Sequence, residues 1–324
     1  MIYYLISLHK FKRERIDIMQ TIGIPRALLY YYDKDKWKYF FEYLNFNIVY
    51  SPLTNKEILD LGENKAIDES CLALKIFLGH VEYLKDKCDH ILIPRLYSIK
   101  KHEQVCTNFN CLYDLVNNLF DISILNYNVD LFKNQTEKKG FLSMAEEFDI
   151  SPLKINKAYQ YALKKAKEKR LDKETKQKEF LNNKKIKILL AGHAYNLYDQ
   201  FIGKSIVSFL EKNNITIIYS DRIDQLIIDA ECKKLSTDIH WTHNKEIMAS
   251  IHHYKNMVDG IIMLSSFPCG PDSLACELIN RKVKDTPIMT LIFENTSSIT
   301  GVETRLESFL DILIERRKSN EKNN

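Results

Sequence analysis

The segment Asp259-Gly-Ile-Ile-Met-Leu-Ser265, followed at once by Ser266-Phe-Pro-Cys-Gly-Pro-Asp-Ser273, decides the fold. Its first part is a nearly unbroken apolar run of strand length, the pattern of a parallel strand covered on both faces. Pro268, Gly270 and Pro271 then force a tight loop around Cys269, and Asp272 or Ser273 can cap a helix running to about Arg281. The spacing predicts further strands in the same block at Ile186–Ala191, Ile215–Ser220 and Pro287–Phe293. It predicts helices at about Phe201–Lys212, Asn244–Met257 and Glu303–Arg317. The same alternation occupies the first half of the chain. Strands are expected at Thr21–Ile24, Asn47–Ser51, His90–Ile93 and Ile122–Asn126, with helices at about Asp35–Leu44, Cys71–Lys85 and Cys111–Leu119. Strands alternating with helices imply parallel sheets. The expected architecture is α/β: two doubly wound, flavodoxin-like or Rossmann-like parallel-sheet domains joined by a helical linker.

The blocks divide the chain at 19–150 and 185–318, leaving an N-terminal extension at 1–18 and a tail at 319–324. Ser151-Pro152 is a helix-start signal, with Ser as N-cap and Pro at the first helical position, so 151–184 reads as the linker helix. Ala158, Tyr161, Ala162 and Lys165 fall at helical spacing. Between Lys154 and Lys187 stand 13 basic and four acidic residues. That excess describes either a docking face for an acidic partner or a solvated connecting helix, and the solvated helix is the default. Residues 1–18 combine a short apolar stretch with a basic cluster after it, the reverse of a secretory signal. They are expected to add nothing to the core.

A chain of 324 residues has room for about two domains. Its 45% hydrophobic and 28% charged residues exclude a disordered chain, and a net charge of +4 is too small to argue for nucleic-acid binding. No apolar run has the length of a membrane helix. Seven cysteines, an odd number in a large chain without an export signal, point to reduced thiols in a cytoplasmic protein. Such cysteines are core fillers, nucleophiles or metal ligands. The sequence lacks the phosphate-binding patterns G-x-x-x-x-G-K-[ST] and G-x-G-x-x-G, and only nine glycines are present, so ATP hydrolysis by this chain is not expected.

Three cysteines are placed for chemistry. Cys71 follows Asp68-Glu-Ser70, of which Asp68 or Ser70 can cap the helix that begins there. A first-turn position favours a thiolate. Cys106 and Cys269 lie in loops beyond strands, one in each block, where open parallel sheets bind their ligands. The three can converge in a cleft if the blocks face each other, or all can be buried small residues. His193, Asn196 and Asp199 follow a strand end and could bond a ligand or shape the loop. Arg26 and Arg95 could hold a CoA phosphate or carboxylate, or form structural ion pairs. His240 and His243 are spaced as a metal pair but lack a completing carboxylate or thiol. Tyr30-Tyr31-Tyr32 reads as packing, and His252-His253 as surface.

Several landmarks are recognisable together: Ile22-Gly-Ile-Pro-Arg-Ala-Leu-Leu-Tyr30 onward to Trp37, Ser51-Pro-Leu-Thr-Asn-Lys-Glu-Ile-Leu59, Asp68-Glu-Ser-Cys71, Ile93-Pro-Arg-Leu96, Ala191-Gly-His-Ala-Tyr-Asn-Leu-Tyr-Asp199, Ser265-Ser-Phe-Pro-Cys-Gly-Pro-Asp-Ser273 and Thr304-Arg-Leu-Glu307. Across about 20–317 the chain resembles the acyl-CoA dehydratase activase-related family, distantly similar to the iron–sulfur subunits of 2-hydroxyacyl-CoA dehydratases. The resemblance implies two flavodoxin-like domains with a cluster between them, and its recurrent cysteines fall on Cys71, Cys106 and Cys269. A 4Fe-4S centre is the simplest cofactor; a double-cubane cluster occurs in distant relatives. The implied partner is an ATP-dependent activator iron–sulfur protein, and the implied substrate an acyl-CoA or another small molecule, with neither nucleic acid nor membrane as partner. Glu294-Asn-Thr-Ser-Ser-Ile-Thr-Gly301 departs from the acidic, His-containing stretch expected there, which weakens any transfer of acid–base chemistry. Three readings follow: a redox enzyme of the dehydratase or reductase type, a non-catalytic electron relay or assembly partner, and a plain ligand-binding protein with core cysteines.

Overall fold

The computed structural model describes residues 20–294 and 299–323. The expectation for residues 1–18 lies outside them, as do 295–298 of the departing stretch. The chain is a mixed α/β protein with parallel sheets. In the first half, β1 (Thr21–Ile24) is flanked by β2 (Asn47–Tyr50) and β3 (His90–Ile91), in the order β2-β1-β3, all parallel. A separate parallel pair joins β4 (Arg95–Ser98) to β5 (Asn128–Asp130). In the second half, β6 (Lys187–Gly192), β7 (Thr216–Tyr219), β8 (Gly260–Ser266) and β9 (Ile288–Phe293) form one parallel sheet in the order β7-β6-β8-β9.

The second sheet follows the sequence pattern closely, because every residue of β8 is buried: Ile261–Leu264 are apolar, and the buried hydroxyls of Ser265 and Ser266 are hydrogen-bonded. The first half departs from it. Ile122–Asn126 is not a strand; Ile124 makes one parallel bridge to Ile91, and the pairing passes to β5. β4 was not anticipated, since Pro94 and Arg95 interrupt the apolar run that would announce it.

Helices follow each strand region: α1 (Tyr30–Tyr43), α2 (Lys56–Glu63), α3 (Leu72–Leu84), α4 (Thr107–Leu119) and α5 (Glu137–Glu146) in the first half. Of α3's 13 residues, 11 are buried, which makes it the central helix of that half. It meets α2 glycine to glycine: a Cβ on Gly79 would lie 1.9 Å from the Ile58 carbonyl oxygen, and one on Gly62 would lie 1.8 Å from that of Lys75.

The helix α6 (Pro152–Leu181) starts as expected, with Ser151 Oγ accepting from Lys154 N and Pro152 at the first position. Its buried residues are Ile155, Ala158, Tyr159, Ala162 and Gln177; Tyr159, not Tyr161, faces inward. Near its start the Tyr159 hydroxyl bonds Glu137, and near its other end Gln177 bonds Tyr219 backbone and the Tyr254 hydroxyl, so one helix is fastened to both halves. The second half adds α7 (Ala194–Tyr198), α8 (Gly203–Lys212), α9 (Ile228–Lys233), α10 (Thr242–Tyr254), α11 (Gly270–Lys282) and α12 (Ile299–Asn323). No helix among the described residues is long and apolar enough to cross a membrane.

Candidate metal centre

Three helices begin at cysteines. Cys71 is the N-cap of α3, Cys106 of α4 and Cys269 of α11, and none of the three side chains accepts a capping bond. The expected caps Asp68, Ser70, Asp272 and Ser273 do not take these positions. The three starts are drawn together from both halves. Leu72 N donates to Phe267 O at 2.9 Å, joining the start of α3 to the loop of Cys269. Asn108, in the first turn of α4, places its Nδ2 3.9 Å from Cys71 Sγ. The loop before Cys106 is pinned to the second half by Gln104 N to His240 O at 2.8 Å and Thr242 N to Gln104 O at 2.9 Å. Cys106 acts electrostatically on Cys71, and Cys269 is under the influence of both.

All three thiols are half-buried. Burial pushes each pKa up; for Cys71 the Leu74 amide pulls the other way, with neighbouring Cys106 and Asp272 adding to the rise. For Cys106 and Cys269 burial again leads, and the Asp272 carboxylate adds to the rise in both. The thiolate expected at Cys71 from its helix start is therefore not realised in the protein alone, because desolvation outweighs the first-turn amides. The groups acting on these sulfurs are other thiols, backbone amides and a carboxylate, with no Lys or Arg among the principal ones. Such a donor set suits a soft cationic metal centre, whose charge would hold the thiols deprotonated. Beside Cys269 the surface is open: a Cβ added at exposed Gly270 would meet nothing within 4 Å.

His193, Cys269 and Asp272 offer ligand atoms within 4.8 Å of one another. The imidazole is already occupied, however: Nε2 lies 2.9 Å from Asp272 Oδ1 and Nδ1 3.1 Å from the Tyr32 hydroxyl. Asp272 also accepts from Asn244 Nδ2 at 2.9 Å and Ser265 Oγ at 3.0 Å. Burial would raise its pKa, but His193 and these hydrogen bonds win and hold it below the usual range. The pair thus buttresses the Cys269 loop from behind.

Asn196 and Asp199 are likewise spent on protein partners. Asn196 bonds Ser266 Oγ at 2.7 Å and Leu264 O at 3.4 Å. Asp199 accepts from Phe201 N, Ile202 N, the Tyr31 hydroxyl and Thr54 Oγ1. Both shape the loop, and Asp199 also ties the halves through Tyr31 and Thr54. Arg95 pairs with Asp114 and lies over Tyr113, the structural alternative for that residue. Arg26 lies 5.2 Å over the Tyr50 ring, and its Nε is buried without a partner. Cys88 bonds Leu84 O and Cys232 lies in the second core, so neither reaches the cysteine centre. Cys111 is exposed on α4, and Cys276 is half-buried on α11, pushed up to about 12 by burial and Asp272.

The sequence reading missed Tyr31, Tyr32, Asp272 and His243 as members of this region. Tyr31 and Tyr32 are not mere packing: their hydroxyls cross between halves to Asp199 and His193. His243 is no surface metal ligand paired with His240, because α10 begins at Thr242 and turns His243 inward, stacked on Tyr32 at 3.9 Å. Partners 161 residues apart leave no local sequence signal.

His80, fully buried beside Thr54, is pushed down to about 3 by burial and by Arg26, from an ordinary value of 6.5. Below pH 6.5 the unfolded chain therefore binds a proton that the native state refuses until about pH 3. Native stability falls as pH falls, by about 1.4 kcal/mol per unit from this group. Relative to His80→Gln, the wild type is expected to lose about 2–3 kcal/mol between pH 6.5 and 4.5. Urea midpoints at several pH values measure this; a gap that does not change with pH would show that His80 is not held neutral.

An α/β chain with parallel sheets in both halves, and with three helices that start at cysteines, is the class that fold and site define. The family model described as the CoA enzyme activase uncharacterised domain matches residues 21–223, more than half of the chain, and the chain belongs to that family. Cys71 and Cys106 lie inside the matched segment and Cys269 beyond it. A search of curated proteins found no match.

Proposed function

We propose that this protein is an iron–sulfur protein of the acyl-CoA dehydratase system, with Cys71, Cys106 and Cys269 as the ligands of one cluster. The observation that supports the reading is that three helices from both halves of the chain each start at a cysteine with no side-chain cap bond, with Leu72 N bonded to Phe267 O and Asn108 placed beside Cys71. A 4Fe-4S cluster bound by three thiolates would carry one electron at low potential and keep one iron position for a substrate oxygen or a further ligand. An ATP-dependent activator is the proposed electron donor, in keeping with the family's activase description.

The chain's own contribution is orientation and exclusion of water. Asp272 and His193 fix the Cys269 loop, while the Phe267 carbonyl fixes the start of α3 against it. Tyr195 stacks on His193 at 4.8 Å and Phe109 stands edge-on to Tyr195, walling the centre on one side. One feature favours an electron relay over an enzyme: His193 has both nitrogens occupied and Asp272 both oxygens, so neither offers a free acid or base at the cysteines.

Anaerobic purification with iron and sulfide analysis tests the reading, with about four of each per chain expected. A folded protein prepared with iron supplied that remains colourless and iron-free would overturn it. Paramagnetic resonance of the reduced protein then separates the two versions. A spectrum altered by added acyl-CoA supports an open iron, and an unaltered one supports the relay.

A further inference from the structure

A cavity of about 540 Å³ lies between α1, β4, α6 and α10, behind the aromatic wall of the cysteine centre. That volume is ordinary for a site taking one small molecule. Its lining includes apolar Leu29, Leu96, Val129 and Leu163, together with many charged groups of both signs. The signs do not cancel in what is left over.

Each lining carboxylate already has a partner. Asp33 and Glu137 are held by Lys36, Glu174 by Arg170 and Asp35 by Lys169. Asp221 accepts from the Tyr198 hydroxyl at 2.8 Å, and Glu246 accepts from Gln225 Nε2 at 2.7 Å. The donors are not matched in the same way. Lys100, Lys167 and Lys173 line the cavity with no ion pair among the described residues. Arg222 Nε is buried without a hydrogen-bond partner. His243, only 8% exposed, lines the same space with both ring nitrogens unpartnered. A buried polar atom without a partner costs free energy of about 1–3 kcal/mol, and three such atoms face one cavity.

We propose that this cavity binds a small hydroxylated organic anion, with Lys100, Lys173 and Arg222 around its carboxylate or phosphate and His243 on its hydroxyl. Asp221 and Glu246 face these cations from the same lining, but Lys100, Lys167, Lys173 and Arg222 outnumber them, and that surplus selects a negative charge. A neutral imidazole supplies one N–H donor and one nitrogen acceptor, so it needs a partner that both accepts and donates. A hydroxyl does both. The neutral state of His243 agrees with its pKa, pushed down to about 3 by burial, then by His193 and Lys100. The site contains none of the three cysteines, so it stands or falls independently of iron. It is nonetheless joined to the centre, since Tyr32 lines the cavity and bonds His193 behind Cys269.

The test is titration calorimetry on the full chain with citrate and with glycerol 3-phosphate, the two arms separating carboxylate from phosphate. Tricarballylate, which is citrate without its hydroxyl, is the matched control. Saturable one-site binding of citrate or glycerol 3-phosphate is expected, weakened about tenfold or more in Lys100→Gln and in Lys173→Gln. If citrate is the binder, tricarballylate should bind at least about tenfold more weakly, because His243 is left unpaired. Both lysines are partly exposed, so these variants keep the packing intact. Lys212→Gln, on the far helix α8, should bind as wild type. Absence of saturable binding by both anions, or binding unchanged in both lysine variants, overturns the proposal; binding lost equally in Lys212→Gln overturns it as well.

Discussion

Replacing Cys71, Cys106 or Cys269 singly with alanine is expected to abolish stable iron binding and the associated colour, while leaving the chain folded. On the proposed reading each residue supplies one of three sulfurs, and loss of one removes a ligand bond, while His193 and Asp272 beside Cys269 are already bonded to each other. The three positions are helix N-caps whose side chains make no capping bond, so alanine costs little in the apoprotein. Iron content should fall to background, and the unfolding free energy of the metal-free form should change by no more than about 1 kcal/mol. Cys88→Ala and Cys232→Ala should retain full iron, because those thiols face Leu84 and Ser236 backbone. Cys111 and Cys276 discriminate further. Each is on a helix that begins at a proposed ligand, and loss of iron in Cys276→Ala would identify a fourth thiolate. The open-iron version would then fail and the closed relay would stand. Iron retained in all three single variants would remove the shared centre altogether.

Replacing Gly79 with alanine should destabilise the protein by about 3 kcal/mol or more, among the largest effects of a single methyl group. The new Cβ would sit 1.9 Å from the Ile58 carbonyl oxygen, well inside any tolerable contact. The obstacle is backbone, so no rotamer change relieves it; α2 and α3 must separate. Separation exposes part of the buried face of α3, including Ile76 and Leu78, at about 25 cal/mol per Å². Because Cys71 caps that helix, iron retention should fall with stability. Gly270→Ala is the contrasting substitution, since open space surrounds that position and the residue stands at a helix start. Its metal-free stability should match wild type within about 0.5 kcal/mol. Chemical denaturation of both variants measures the contrast, and an unperturbed Gly79→Ala would show that the two helices are not in direct contact.

The two halves of the chain differ in how legible they were. The second sheet was readable almost residue by residue, because the buried stretches Ile188–Ala191 of β6 and Ile261–Leu264 of β8 are apolar throughout. In the first half, β3 is two residues long and β4 follows a proline, so local pattern carried less information there. The helices α2, α5, α7 and α9 are short and take their stability from neighbours, so periodicity alone did not single them out.

The candidate site divides along the same line. Cys71, Cys106 and Cys269 could be singled out because helix starts and loops after strands are local features that a sequence displays. So could the start of α6, where Ser151 and Pro152 impose their own backbone geometry. Whether the cysteines meet was not local: it depends on Phe267 backbone reaching Leu72 and on His240 and Thr242 reaching Gln104. The assignment of Asp272 as a cap was reasonable from its position, yet the folded chain gives its carboxylate to His193, Asn244 and Ser265. Burial reversed the sign expected at Cys71 for the same reason, since a first-turn amide acts within one residue or two while desolvation is set by everything that packs around it. Amino-acid order by itself determined the alternating α/β plan and which residues stand where ligands bind. Only the tertiary structure decided which of those residues already have partners, because hydrogen bonds across 100 residues or more are made by packing and leave no periodicity behind.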